Sequence, residues 1–94
     1  MTTTTMRVTE RKASIQAVLR WLRRWGITLE DLPKGERGFG EHCPVGRALQ
    51  NLYEYAYVEP PSWWYEEKKR RLPKSISLFV GEFDSGLWPE YERE

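Results

Sequence analysis

One cysteine and one histidine are present in 94 residues, and that scarcity removes whole classes of chemistry. Cys43 alone excludes an internal disulfide and fits a reducing compartment. A structural zinc site takes four Cys or His ligands in spaced pairs, so neither metal nor cofactor is expected. No apolar run approaches the ~20 residues of a membrane-spanning helix. The stretch Met1-Thr2-Thr3-Thr4-Thr5-Met6 lacks the basic and apolar regions of a signal peptide. These absences together give a cytoplasmic expectation.

Net charge is also small overall, at +1, because 15 bases nearly balance 14 acids, but not locally. Residues 1–26 hold six bases and one acid, and residues 27–67 hold three bases and eight acids. The run from Lys68 to Lys74 has five bases and no acid, and residues 75–94 have one base and five acids. Alternating blocks of this kind either attract one another across a fold or leave a basic face for a partner.

What the chain does have is aromatic rings: five Trp, five Tyr and three Phe. In a single domain of this length, large rings supply much of the buried area. Residues 1–8 read as a flexible N-terminal tail, with Thr5 or Thr9 as a helix cap, and 9–94 as one helical domain. From Glu10 to Trp25 the apolar Ile15, Val18, Leu19, Leu22 and Trp25 recur at three and four. Arg20, Arg23 and Arg24 fall opposite, and Gly26 ends the helix. Ile27 to Leu32 reads as a short turn of helix stopped by Pro33.

A glycine-rich loop follows, from Lys34 to His42. Pro44 then occupies a first helical position, with Val45, Ala48, Leu49, Leu52 and Ala56 on one face to about Tyr57. The alternating tyrosines of Tyr53 to Val58 also fit a strand, but the helical arc runs through them. Ser62 reads as the cap of a third segment, in which Glu66–Arg70 and Glu67–Arg71 are helix-type acid-before-base pairs. The last helix spans Lys74 to Asp84, with Ile76, Phe79, Val80 and Phe83 apolar, Ser75 as cap and Gly86 after its end. Leu87-Trp88-Pro89 is expected to fold back onto it. The expected fold is all-α: a small bundle of three main helices plus one or two short ones.

His42-Cys43-Pro44 places a thiol at a helix N-terminus, where the dipole lowers a cysteine pKa and an adjacent His can take a proton. No third group is specified, and a small buried residue opening a helix reads the same way. Gly35, Gly38 and Gly40 precede a helix, but no Gly-Lys-Ser/Thr ending follows and two glutamates would repel phosphate. The chain is therefore expected not to be an enzyme.

The stretch Ser62 to Arg71 carries the binding signal. Trp63, Trp64, Tyr65, Arg70 and Arg71 supply the residue types enriched at interface hot spots. In a helix the two tryptophans point about 100° apart, so burying both is difficult, although either one can be core. A protein partner is the expectation. The alternative is nucleic acid, with Arg20, Arg23 and Arg24 as one basic patch and Lys68 to Arg71, including Lys69, as another, and Trp63 and Trp64 stacking on bases. A self-complementary patch would make a homodimer.

Two segments carry a resemblance: His42-Cys43-Pro44-Val45-Gly46-Arg47-Ala48-Leu49, and Phe79-Val80-Gly81-Glu82-Phe83-Asp84-Ser85-Gly86-Leu87-Trp88-Pro89-Glu90. Together they resemble short open reading frames of actinobacteria and their bacteriophages, with a Cys-Pro helix start and a Phe-x-x-x-Phe-Asp-x-Gly helix end. The resemblance implies no catalytic residues. It implies a phage-type accessory protein that binds and modulates a host protein.

Overall fold

The computed structural model describes residues 11–38 and 40–93. The expected tail over 1–8 and its Thr5 or Thr9 cap lie outside the described residues. Within them the chain forms helices α1 (Ile15–Arg24), α2 (Pro44–Leu49) and α3 (Lys74–Asp84) and strands β1 (Tyr57–Glu59), β2 (Ser62–Tyr65) and β3 (Lys68–Arg71). A 3₁₀ turn, Pro89–Tyr91, follows α3. The all-α bundle is therefore corrected: a three-stranded antiparallel sheet, in the order β1-β2-β3, takes the place of the end of the second expected helix and of the helical segment expected from Ser62.

Local chemistry accounts for α1. Ser14 Oγ accepts from the Ala17 N–H at 3.2 Å, satisfying one of the free donors of the first turn. Val18, Leu19, Trp21 and Leu22 are buried, while Arg23 and Arg24 sit in the last turn, where the helix dipole favours positive charge. Gly26, at φ 86°, reverses the chain so that the Ile27 N–H donates to the Leu22 carbonyl.

Helix α2 begins as expected at Pro44, with Cys43 Sγ accepting from the Gly46 N–H at 3.3 Å. It stops at Leu49, short of Tyr57. The Gln50 side-chain amide donates to the carbonyls of Glu41 and Ala56, and these bonds hold the following residues in turns. Tyr57 then enters β1, so the alternating tyrosines mark a strand approach and not a helix end.

The sheet register is Tyr57 opposite Trp64, Val58 opposite Trp63 and Glu59 opposite Ser62. Between β2 and β3, Trp63 pairs with Arg70, Trp64 with Lys69 and Tyr65 with Lys68. Pro60-Pro61, joined by a cis peptide bond, makes the first turn, and Glu66-Glu67 makes the second. Successive strand residues point to opposite faces. Val58, Trp63 and Tyr65 accordingly face the core, whereas Tyr57, Trp64 and Lys69 line up on the outer face.

Trp63 is the centre of the core. Its ring lies 4.9 Å from Trp25, 5.7 Å from Trp21, 5.9 Å from Tyr53 and 4.9 Å from Tyr65. The first three of these are edge-to-face contacts, a favourable geometry for ring quadrupoles. The Trp63 indole N–H has no hydrogen-bond acceptor among the described residues.

Helix α3 buries Ile76, Phe79, Val80 and Phe83. Pro73 stands at its N-cap, and the expected Ser75 cap is not made. Trp88 folds back as expected, 5.3 Å from the Phe79 ring. Its indole N–H donates to the buried Glu82 carboxylate at 3.0 Å, which also accepts from the N–H groups of Lys12 and Ala13. The Arg11 guanidinium covers Trp88 at 3.8 Å and pairs with Glu90 at 2.6 Å.

The glycine-rich loop is pinned near both of its ends. The Gly35 N–H donates to the Tyr91 carbonyl at 2.8 Å, and the Gly40 carbonyl accepts from the Val58 N–H at 3.1 Å. A Cβ at Gly35 would collide with the His42 carbonyl, and one at Gly40 with the Val58 carbonyl. These glycines are required by close backbone approach and not for holding an anion.

Candidate functional site: an aromatic and acidic groove at the hairpin tip

A groove of about 520 Å³ opens where the chain leaves α2 and where β2 turns into β3. Its aromatic lining is Tyr55, Tyr57 and Trp64, with Tyr65 beneath, and its charged lining is Glu54, Glu66 and Glu67. Among the described residues no basic side chain lines it. Tyr55 is 84% exposed, the most exposed large apolar residue described.

Two features build the aromatic part. Tyr57 and Trp64 are cross-strand partners, and their rings stack 4.7 Å apart at 7° from parallel. Beside them, Lys69 places its ammonium 5.7 Å from the Trp64 ring centre, a cation–π contact made from outside the groove.

The backbone supplies the acidic part. Glu66 and Glu67 are the two central residues of the β2–β3 turn, with φ 50° and 65°. Two consecutive positive φ values are the signature of the type I′ hairpin turn, which favours Asn-Gly over Glu-Glu. Tyr55 has φ 64°, a rare conformation for a bulky residue. Among the described residues these three are the non-glycine positions with positive φ, and all three line the same groove.

The sequence-selected residues are divided by this geometry. Trp63 is fully buried and Tyr65 nearly so, leaving Trp64 as the member of the aromatic triplet that a partner can reach. Arg70 is exposed, but its guanidinium is already engaged: Nη2 donates to the Tyr65 hydroxyl at 3.2 Å and Cζ lies 5.9 Å from the Trp25 ring. Arg71 is exposed on the outer face opposite Ser62. Arg20, Arg23, Arg24, Lys68 and Lys69 are exposed as well. None of these seven bases forms an ion pair with a described acid; the pairs found join Arg11 to Glu90 and Arg37 to Glu92. Glu54, Tyr55, Tyr57, Glu66 and Glu67 were not selected from the sequence, although the Tyr53-x-Tyr55-x-Tyr57 alternation was the available signal.

At Cys43 burial outweighs the helix dipole. Desolvation pushes the thiol up to about 11, and the amide donor of Gly46 only partly offsets it. The thiol is 2% exposed and protonated at neutral pH, the reverse of an activated nucleophile. His42 is turned toward Arg47, whose guanidinium lies 3.4 Å from His42 Nδ1.

No helix among the described residues is long and apolar enough to cross a membrane. Comparison with protein-family models, with curated proteins and with solved structures gives no match, so the reading of this site rests on its own geometry.

Proposed function

We propose that this chain is a non-enzymatic module that binds another protein through the groove beside Trp64. The observation that carries the reading is the coincidence of backbone strain with that groove. Tyr55, Glu66 and Glu67 each hold a left-handed backbone at ~1–3 kcal/mol apiece, and such strain gathers at ligand-binding sites. Their side chains are exposed and contribute little to the core, so folding alone gives no reason to keep them there. An exposed tyrosine, a stacked Tyr-Trp pair and three carboxylates are suited to a polar protein surface and poorly suited to phosphates. A phage-type accessory protein acting on a host factor in the cytoplasm is the biological setting that fits this reading.

The test is affinity capture from nuclease-treated bacterial lysate, comparing the native chain with Trp64→Ala and with an Arg20→Gln, Arg23→Gln, Arg24→Gln variant. A protein captured by the native chain and the arginine variant, and lost with Trp64→Ala, is the expected result. Capture that survives Trp64→Ala overturns the reading.

The seven bases without an acidic partner among the described residues favour a second reading, in which a nucleic acid lies along α1 and β3. Affinity for duplex DNA would then fall with salt at a slope near −0.9 per phosphate neutralised. It would also fall in the triple arginine variant and not in Trp64→Ala. Trp63 takes no part in it, because its ring is enclosed by the core.

A further inference from the structure

We propose that the occupant of the groove is an arginine side chain of the partner protein, an assignment that rests on the protein-binding reading above. Three properties of the groove select it. Its charged groups, Glu54, Glu66 and Glu67, are all carboxylates, so the complementary ligand is a cation. Its rings can hold a cation by their faces, as Trp64 already does with Lys69 at 5.7 Å. The third property is shape. Tyr57 and Trp64 stack within 7° of parallel and, with Lys69 over the far side of Trp64, leave the outer face of Tyr57 as an open flat slab, whereas a quaternary or methylated ammonium is held by rings that surround it. A planar guanidinium lies flat on such a slab and still directs its N–H groups sideways in a fork that matches carboxylates. Lysine offers a compact, strongly hydrated point charge with neither property.

The strain at the turn gains a role from this assignment. An Asn-Gly turn would relieve φ 50° and 65° at Glu66 and Glu67, but it would remove two of the three carboxylates. Lys69 acts in the opposite sense, because its ammonium rests on Trp64 from outside the groove and repels an arriving cation.

The experiment is an NMR titration of the ¹⁵N-labelled chain, following the Trp64 indole N–H and the Glu66 and Glu67 amides. The probes are four capped tripeptides, Gly-X-Gly, in which X is arginine, citrulline, lysine or trimethyl-lysine. Arginine is expected to shift all three signals, with lysine and trimethyl-lysine roughly tenfold weaker and citrulline, which is planar but neutral, without effect. Glu66→Gln with Glu67→Gln is expected to abolish the arginine response, and Lys69→Met to strengthen it severalfold. Citrulline acting as well as arginine would remove the charge argument, and trimethyl-lysine binding most tightly would remove the planar one. Either result overturns the assignment, as does the absence of any arginine response at the groove. Failure of the broader reading looks different: there, capture of the partner protein survives Trp64→Ala. Loss of capture in Trp64→Ala without an arginine response keeps the groove as the contact and rejects only this occupant.

Discussion

Tyr57 and Trp64 stack on the outer face of the sheet at 4.7 Å, while the residue next to each, Val58 and Trp63, is buried. The two-residue period of a strand thus assigns adjacent tryptophans to opposite tasks. Truncating the two should separate stability from binding. Trp63→Ala removes a buried ring in contact with four others and is expected to cost ~3–5 kcal/mol. Trp64→Ala, on the half-buried face, is expected to cost about 1 kcal/mol through the lost ring pair. Urea denaturation of both variants checks this, and equal losses would contradict the placement of the two rings.

The turn at Glu66-Glu67 should be improvable. Replacing it by Asn-Gly puts the residues that favour positive φ where the backbone already requires it. The expected gain is ~1–2 kcal/mol at each of the two positions, measured as a shift in the denaturation midpoint without a change in slope. Loss of the groove ligand should accompany the gain, the usual exchange at a strained binding site.

Stability should fall at high pH through Cys43. Its folded pKa, about 11, exceeds the ordinary thiol value of 9.0, so between those values the folded chain holds a proton that the unfolded chain has released. The thiol's contribution is therefore complete below pH 9.0 and is lost as pH rises toward about 11, at up to about 1.4 kcal/mol per pH unit. Tyr91, raised from 10.0 by burial and by its bond to Asp31, adds a second decline that sets in near pH 10.0, overlaps the upper part of the first and continues beyond it. Cys43→Ser retains a capping oxygen and should remove only the first decline, which guanidinium titrations across pH 8 to 11 would show.

Glu82 should behave as the clasp between α3 and the segment before α1. Glu82→Ala leaves the Trp88 indole N–H and the N–H groups of Lys12 and Ala13 without their acceptor. A loss of ~2–4 kcal/mol is expected. Hydrogen exchange should rise at residues 12 and 13 while α1 beyond its first turn stays protected.

Two helices were legible in the sequence because their signal is local. In α1 and in α3 a 3.6-residue period coincides with a stop signal, and neither needs a distant partner to declare itself. The Pro44 start of α2 was equally plain. The sheet was not. Ser62 to Arg71 contains two acid–base pairs at helix spacing and no Asn-Gly turn, and Lys68 to Arg71 has no alternation at all. Its strand state comes from pairing with β2, from a turn held in a left-handed backbone by residues that disfavour it, and from the burial of Trp63 among rings contributed by residues 21, 25, 53 and 65.

The same division applies to the candidate site. Residue types alone pointed to Ser62–Arg71 as a binding segment and required that both tryptophans could hardly be buried together. Which tryptophan meets solvent, and that Tyr55, Tyr57 and Glu54 join it, depends on bringing residues 54–57 beside residues 64–67. That placement is a property of strand pairing, which acts across the chain. Helix periods and caps act within a few residues, and those the sequence determined by itself.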